Sequence, residues 1–141
     1  MVFRFVRLLL FAGGVWLALG LAVDGATAAP ASTLLTHSQA AAQLQAAGIT
    51  WASSGDCADR HRPSCTSFSG IRQSTIDGVR TLRAASGCAI VVTGGTETGH
   101  AAGTYSHWNG WKVDIRRSAC LDAYVARWFT LIGTVEGWGV Q

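Results

Sequence analysis

Four cysteines constrain the fold of this chain more than any other feature of its sequence. Cys57, Cys65, Cys88 and Cys120 form an even set without a C-x-x-C pair, which fits disulfides better than a zinc site built from cysteines. Four cysteines allow three connectivities. We prefer Cys57–Cys65, which closes a short polar loop, and Cys88–Cys120, which ties the start of a predicted strand to the start of a predicted helix.

The amino-terminal segment has the pattern of a secretory signal peptide. Two arginines precede an apolar run from Leu8 to Val23, and the small residues Ala26-Thr27-Ala28 offer a cleavage site. The alternative is an amino-terminal membrane anchor, but glycines inside the run and its small-residue end favour cleavage. We therefore predict a signal peptide over residues 1–28 and a single domain over residues 29–141, secreted or periplasmic.

The composition and net charge of the chain limit the kinds of molecule that it can bind. Hydrophobic residues make up 49% of the chain and charged residues 13%, which excludes a highly charged disordered chain. After residue 28, nine basic and seven acidic residues leave a net charge of only +2. Because phosphate binding needs a clustered basic surface, we expect no nucleic-acid partner. We also expect no membrane partner once the signal peptide is cleaved.

Local patterns predict three helices and two strands. Thr36 and Gln39 have capping-box spacing before a helix-forming run, and glycines punctuate the later segments. We expect three helices, the first from the capping box to Gly48, the second over about 69–86 and the third from Ser118 to Ile132. We expect two strands, over 89–93 and 111–115. The order predicts an α+β domain, a small sheet with packed helices, stapled by disulfides.

A glycine-rich segment carries the residues best suited to chemistry. His100, His107 and Asp114 recur at a spacing of seven, and the intervening glycines make a helix improbable. A loop that runs into a strand can fold back and bring His107 close to Asp114. Imidazole and carboxylate are ligands that Zn²⁺ accepts, and a third ligand plus water would complete a catalytic site.

The stretch from His107 to Asp114 resembles the H-x-x-G-x-x-x-D core of the zinc D-Ala-D-Ala carboxypeptidases and dipeptidases. Those enzymes share their fold with the amino-terminal signalling domain of Hedgehog. The segment 90–95 is similar to the strand and turn that precede the motif there, and the resemblance covers residues 70–132. It implies that His107 and Asp114 are zinc ligands and that the fold is Hedgehog/DD-peptidase-like.

The carboxyl end departs from the family pattern. The family places a catalytic glutamate and its third zinc ligand there as E-x-x-H, whereas this chain has Glu136 and then Gly139 at the histidine position. Two explanations stay open. The domain is incomplete before the third ligand, which we favour because Asp114 lies only a helix away from the end. Alternatively, His100 supplies the imidazole, with Glu97 or Glu136 as general base.

The resemblance implies a secreted, zinc-dependent D-Ala-D-Ala carboxypeptidase-like domain that acts on cell-wall peptide or another small peptide, with its activity retained or lost. Zn²⁺ is the predicted cofactor, and Trp108 is a predicted substrate-binding residue in a groove beside the motif. The alternative is a non-catalytic exported binding module that uses the same groove. The absent carboxyl-terminal histidine, and the lack of the family's substrate-binding arginine near Gly94-Gly95, motivate that alternative.

Overall fold

A computed structural model describes residues 33–130 and the residue pairs 134–135 and 139–140. The predicted signal peptide (1–28) and the predicted base Glu136 lie outside the described residues. Within the described part, no helix is both long enough and apolar enough to cross a membrane.

Three helices and seven short strands make up the described fold. The helices are α1 (His37–Ala46), α2 (Gln73–Ser86) and α3 (Ala119–Trp128). The strands are β1 (Leu34–Leu35), β2 (Thr50–Trp51), β3 (Ile71–Arg72), β4 (Val91–Gly94), β5 (Asp114–Ile115), β6 (Thr134–Val135) and β7 (Gly139–Val140). The predicted α+β class is confirmed.

A three-stranded sheet in the order β2-β4-β5 lies at the centre of the fold. β4 runs parallel to β2 and antiparallel to β5, while β1 pairs with β3 and β6 with β7. Side chains from α1, α2 and the central strands share one apolar core. Its fully buried members are Ala40, Leu44, Ile49, Phe68, Ile71, Ile76, Ile90 and Val92. This core gives the short central strands a rigid support.

The helix ends show which local signals decide structure. The Thr36–Gln39 capping box is present, and Gly87 ends α2 in the left-handed conformation (φ +68°), as the sequence predicts. α2 begins at Gln73, later than predicted, because Ile71 and Arg72 extend to pair with β1. α3 ends at Trp128 rather than Ile132, since Phe129 is already extended. At the start of α2, strand pairing therefore overrides helix periodicity.

Both disulfides that we prefer from the sequence are present in the structure. Cys57–Cys65 closes a short loop after β2, and Cys88–Cys120 joins the segment before β4 to the first turn of α3. The second bond spans 32 positions, so it links two distant parts of the chain. A covalent link of this length stabilises a small domain by restricting the unfolded chain.

We expect His37 to make the fold less stable at low pH. Its Nδ1 accepts a hydrogen bond from the Phe68 backbone N–H at 3.1 Å, and burial lowers the pKa of the imidazole. The unfolded chain therefore binds this proton more readily. The free energy of unfolding should fall as pH drops from about 6.5 towards the folded-state pKa. Urea unfolding across this range measures the effect.

The variant His37→Asn is the matched control for this pH dependence. Its side-chain oxygen can accept the same backbone N–H but does not titrate. We expect the variant to lose less stability than the parent as the solution is acidified. Parallel pH profiles for the two proteins would contradict the role of His37.

Candidate metal centre

Strand pairing brings Asp114 next to the end of β4. Asp114 opens β5, and its Cα pairs with that of Gly94, with a register irregularity between Val92 and Gly94. A Cβ at Gly94 would lie 2.6 Å from the Asp114 Oδ2 atom and 3.1 Å from the His100 Cε1 atom. The glycine thus makes room for two of the predicted ligands where the strand ends.

His107 is the buried member of the group, with 5% of its surface exposed. Its Nδ1 lies 2.8 Å from the Gly95 carbonyl oxygen, which can only accept, so Nδ1 carries a proton. The other nitrogen, Nε2, faces Asp114 Oδ1 at 3.4 Å. Burial alone would lower the pKa of His107, but its bonds to Asp114 and Gly95, and the nearby carboxylates, raise it.

His100 reaches the same point from the glycine-rich loop. Its Nδ1 lies 3.7 Å from Asp114 Oδ2, and its ring stacks on the His107 ring with centroids 3.8 Å apart. The opposite nitrogen, Nε2, lies 3.2 Å from Glu97 Oε1. Each imidazole therefore turns one nitrogen towards Asp114 and the other towards an acceptor.

Glu97 holds His100 from the side opposite Asp114. Only 2% of its surface is exposed, and its carboxylate accepts hydrogen bonds from the backbone N–H groups of Ser67 (2.8 Å) and Gly95 (2.9 Å). Its contact with His100 uses the nitrogen that faces away from Asp114. The carboxylate therefore holds the loop and orients His100. From the sequence, we considered Glu97 only as a base and did not predict this role. Its position two residues after the Gly94-Gly95 pair was the available signal.

The three side chains could hold a metal ion. One ligand atom each from His100, His107 and Asp114 lies within 4.8 Å of the others. Zn–N bonds of 2.0–2.1 Å in tetrahedral geometry place neighbouring donor atoms about 3.3 Å apart. The separation of His107 Nε2 from Asp114 Oδ1 (3.4 Å) and that of His100 Nδ1 from Asp114 Oδ2 (3.7 Å) are near this value, one for each carboxylate oxygen. Outer acceptors that fix the imidazole tautomers are the usual support of ligating histidines.

Asp114 provides the negative charge of the candidate ligand group, and its side chain is open to solvent. The hydrogen bond from His107 lowers the pKa of Asp114, and the charges of His100 and Lys112 act in the same direction. Its side chain is 53% exposed, in contrast to the buried His107. The carboxylate is therefore ionised at neutral pH and accessible from solvent.

Two pockets flank the group. One of about 560 Å³ is bordered by His107, Asp114, Trp111, Lys112 and residues of α2. The other, about 330 Å³, is bordered by His100 and Trp108 together with the loop around them. Trp108 as a whole residue is 41% exposed. The predicted substrate-binding residue thus lies in a pocket that also reaches a metal-ligand candidate.

Comparisons with protein-family models, with curated proteins and with solved structures return no match to this chain. The explanation that we favour from the sequence, a domain incomplete before its third ligand, stays a prediction. The described residues bring three candidate ligands together without a contribution from the carboxyl end.

We expect Gly94→Ala to weaken metal binding more than it weakens the fold. The new methyl group would meet the side chains of Asp114 and His100. The half-exposed Asp114 side chain can swing away at little cost, but it then leaves the shared point. Zinc affinity should fall about tenfold or more, the range for disturbed support of a ligand. Chelator competition measures it.

Thr93→Ala is the matched control for this substitution. Thr93 is the exposed neighbour of Gly94 on β4 and does not belong to the candidate ligand group. We expect this variant to bind zinc like the parent. Equal affinity of the Gly94→Ala protein and the parent would contradict the close approach described above.

Proposed function

We propose that the chain is an exported, zinc-dependent hydrolase of the D-Ala-D-Ala carboxypeptidase type that acts on cell-wall peptide. One observation carries the proposal: His100, His107 and Asp114 each offer a ligand atom within 4.8 Å of the others, and each imidazole has its outer nitrogen held by an acceptor. Such outer contacts orient ligands before the metal binds. The paired cysteines support export, since disulfides persist in oxidising compartments.

The fold that we propose for this activity is Hedgehog/DD-peptidase-like, and the motif glycine supports it. Gly110 has φ +74°, and a Cβ there would lie 2.5 Å from the Gly70 carbonyl oxygen. The turn between His107 and Asp114 therefore requires glycine at this position. The family pattern H-x-x-G-x-x-x-D asks for the same three residues at the same spacing.

His100, His107 and Asp114 would hold Zn²⁺, with Asp114 on the solvent side. When bound, zinc polarises a carbonyl group and lowers the pKa of a water molecule to near neutrality. The pocket beside His107 and Asp114 is large enough for a peptide end, and Trp108 offers an apolar surface on the other side. We assign the role of general base to Glu136, because the chain has only two glutamates and Glu97 is engaged in the loop.

Metal analysis and turnover together test the proposed function. Purified protein should contain about one equivalent of zinc and release D-alanine from a D-Ala-D-Ala-terminated peptide, with activity lost on chelation and restored by zinc. Glu136→Gln should keep the zinc and lose the turnover. Zinc below about a tenth of an equivalent, unchanged by His107→Ala, would overturn the proposal.

A non-catalytic binding module is the second candidate, and the engagement of Glu97 favours it. Without Glu136 as a base, the metal group would bind a peptide carbonyl or carboxylate and leave it intact. This candidate predicts zinc-dependent retention of the D-Ala-D-Ala peptide with no release of D-alanine. Zinc-dependent hydrolysis would exclude it.

A further inference from the structure

One side chain of the Cys57–Cys65 loop extends to the metal centre. Arg60 lies between the two cysteines and is partly buried. Its Nε donates a hydrogen bond to the Thr96 carbonyl at 3.2 Å, and its Nη2 donates to the Trp108 carbonyl. Its guanidinium also lies over the Trp108 indole, 3.8 Å from the ring centroid.

These two carbonyls belong to the two segments that carry the histidine ligands. Thr96 immediately precedes Glu97, whose carboxylate holds His100, and Trp108 immediately follows His107. The Arg60 carbonyl accepts a further hydrogen bond from the Thr98 backbone N–H at 2.9 Å. One residue therefore links the segments of both imidazoles to the disulfide loop.

The surroundings of Arg60 are built to keep it in place. Gly70 leaves room for the guanidinium, because a Cβ there would lie 3.0 Å from Arg60 Nη1. The disulfide limits the conformations of the loop in which Arg60 lies. A planar guanidinium can donate to two carbonyls and stack flat on an indole at once, whereas a lysine ammonium has no planar group to stack.

We infer that Arg60 is a positioning residue that holds His100 and His107 in the arrangement needed to bind a metal ion. The inference rests on the metal site of the proposed function. Arg60 does not touch the ion or the substrate in this account. It acts by fixing the distance between the chain segments 96–100 and 107–108.

Zinc affinity of three arginine variants tests this role. Arg60→Ala should weaken zinc binding by about ten- to a hundredfold in chelator competition, the range for lost outer support. Arg60→Lys should lie between Arg60→Ala and the parent. Arg62→Ala is the matched control, since Arg62 is an exposed arginine of the same disulfide loop. We expect it to bind zinc like the parent.

If Arg60 only stabilised the fold, its variants would give a different result. Arg60→Ala would then lower the unfolding temperature while the folded protein bound zinc with parental affinity, and this outcome would overturn the inference. If Arg60→Ala does not fold, Arg60→Lys decides, and parental affinity in that variant has the same meaning.

Imidazole NMR signals of the zinc-free protein separate this inference from the proposed function. In Arg60→Ala, or in Arg60→Lys if the alanine variant does not fold, the signals of His100 and His107 should shift, because their stacking and outer hydrogen bonds loosen. In Arg62→Ala they should not. If the parent binds no zinc, the proposed function fails, yet unchanged signals in the Arg60 variant would still overturn the inference, and shifted signals would still support the part of it that assigns to Arg60 the positioning of the two imidazoles.

Discussion

Replacing His107 by alanine is expected to reduce zinc affinity by about a hundredfold or more, because the ligands of a zinc site together supply about 10–16 kcal/mol of binding free energy and one of three would be lost. His107 is the most buried of the three candidate ligands, and its Nε2 faces Asp114 at 3.4 Å. Removing it leaves one imidazole and one carboxylate. Competition with a chelator of known affinity, on protein shown to be folded, measures the change.

Two further variants make this experiment specific. His61→Ala removes an exposed histidine of the disulfide loop and should leave zinc affinity unchanged. Asp114→Asn removes a charge at a half-exposed position and should weaken zinc binding with little change in stability. Equal zinc affinity in the parent and the His107→Ala protein would contradict the site.

Replacing Gly95 by alanine is expected to cost about 3 kcal/mol or more of stability, or to prevent folding. A Cβ at Gly95 would lie 1.9 Å from the Ser67 carbonyl oxygen and 3.2 Å from Phe68 Cδ1. The contact at 1.9 Å is with backbone, so it cannot be relieved by a side-chain rotation. The segments around Ser67 and Gly95 would have to separate, which also breaks the hydrogen bonds of Glu97. Denaturant unfolding with the disulfides intact measures the loss.

Gly78→Ala is the opposite case and the natural control. Gly78 lies within α2, and a Cβ there meets nothing within 4 Å. Because alanine favours helix over glycine, we expect a gain of about 0.5–1 kcal/mol. A Gly95→Ala protein as stable as the parent would show that Ser67 and Gly95 do not approach each other as described.

Local signals predicted the local parts of the fold. The capping box at Thr36 and the helix stop at Gly87 depend on neighbouring residues, and both are present. The strand predicted over 111–115 is shorter, since the Trp111 N–H bonds to the Ser106 carbonyl in a turn and β5 begins only at Asp114. Likewise, α2 starts late because β3 pairs with a strand far away in the sequence.

The candidate site also has parts that local sequence patterns predicted and parts that they did not. The spacing and the glycine of the motif were enough to predict that His107 and Asp114 lie together. His100 stayed one of two alternatives, because the path of its loop is decided by non-local contacts. Arg60 was not predicted at all, since its partners lie 36 and 48 positions away along the chain. No local sequence pattern indicates an arginine that donates hydrogen bonds to carbonyls of distant loops.

Crystallographic anomalous scattering from zinc-loaded protein tests the shared metal site most directly. We predict one zinc peak within about 2.0–2.2 Å of His100 Nδ1, His107 Nε2 and an Asp114 carboxylate oxygen. A map without zinc density between these side chains, or with zinc bound only elsewhere on the protein, would contradict the account.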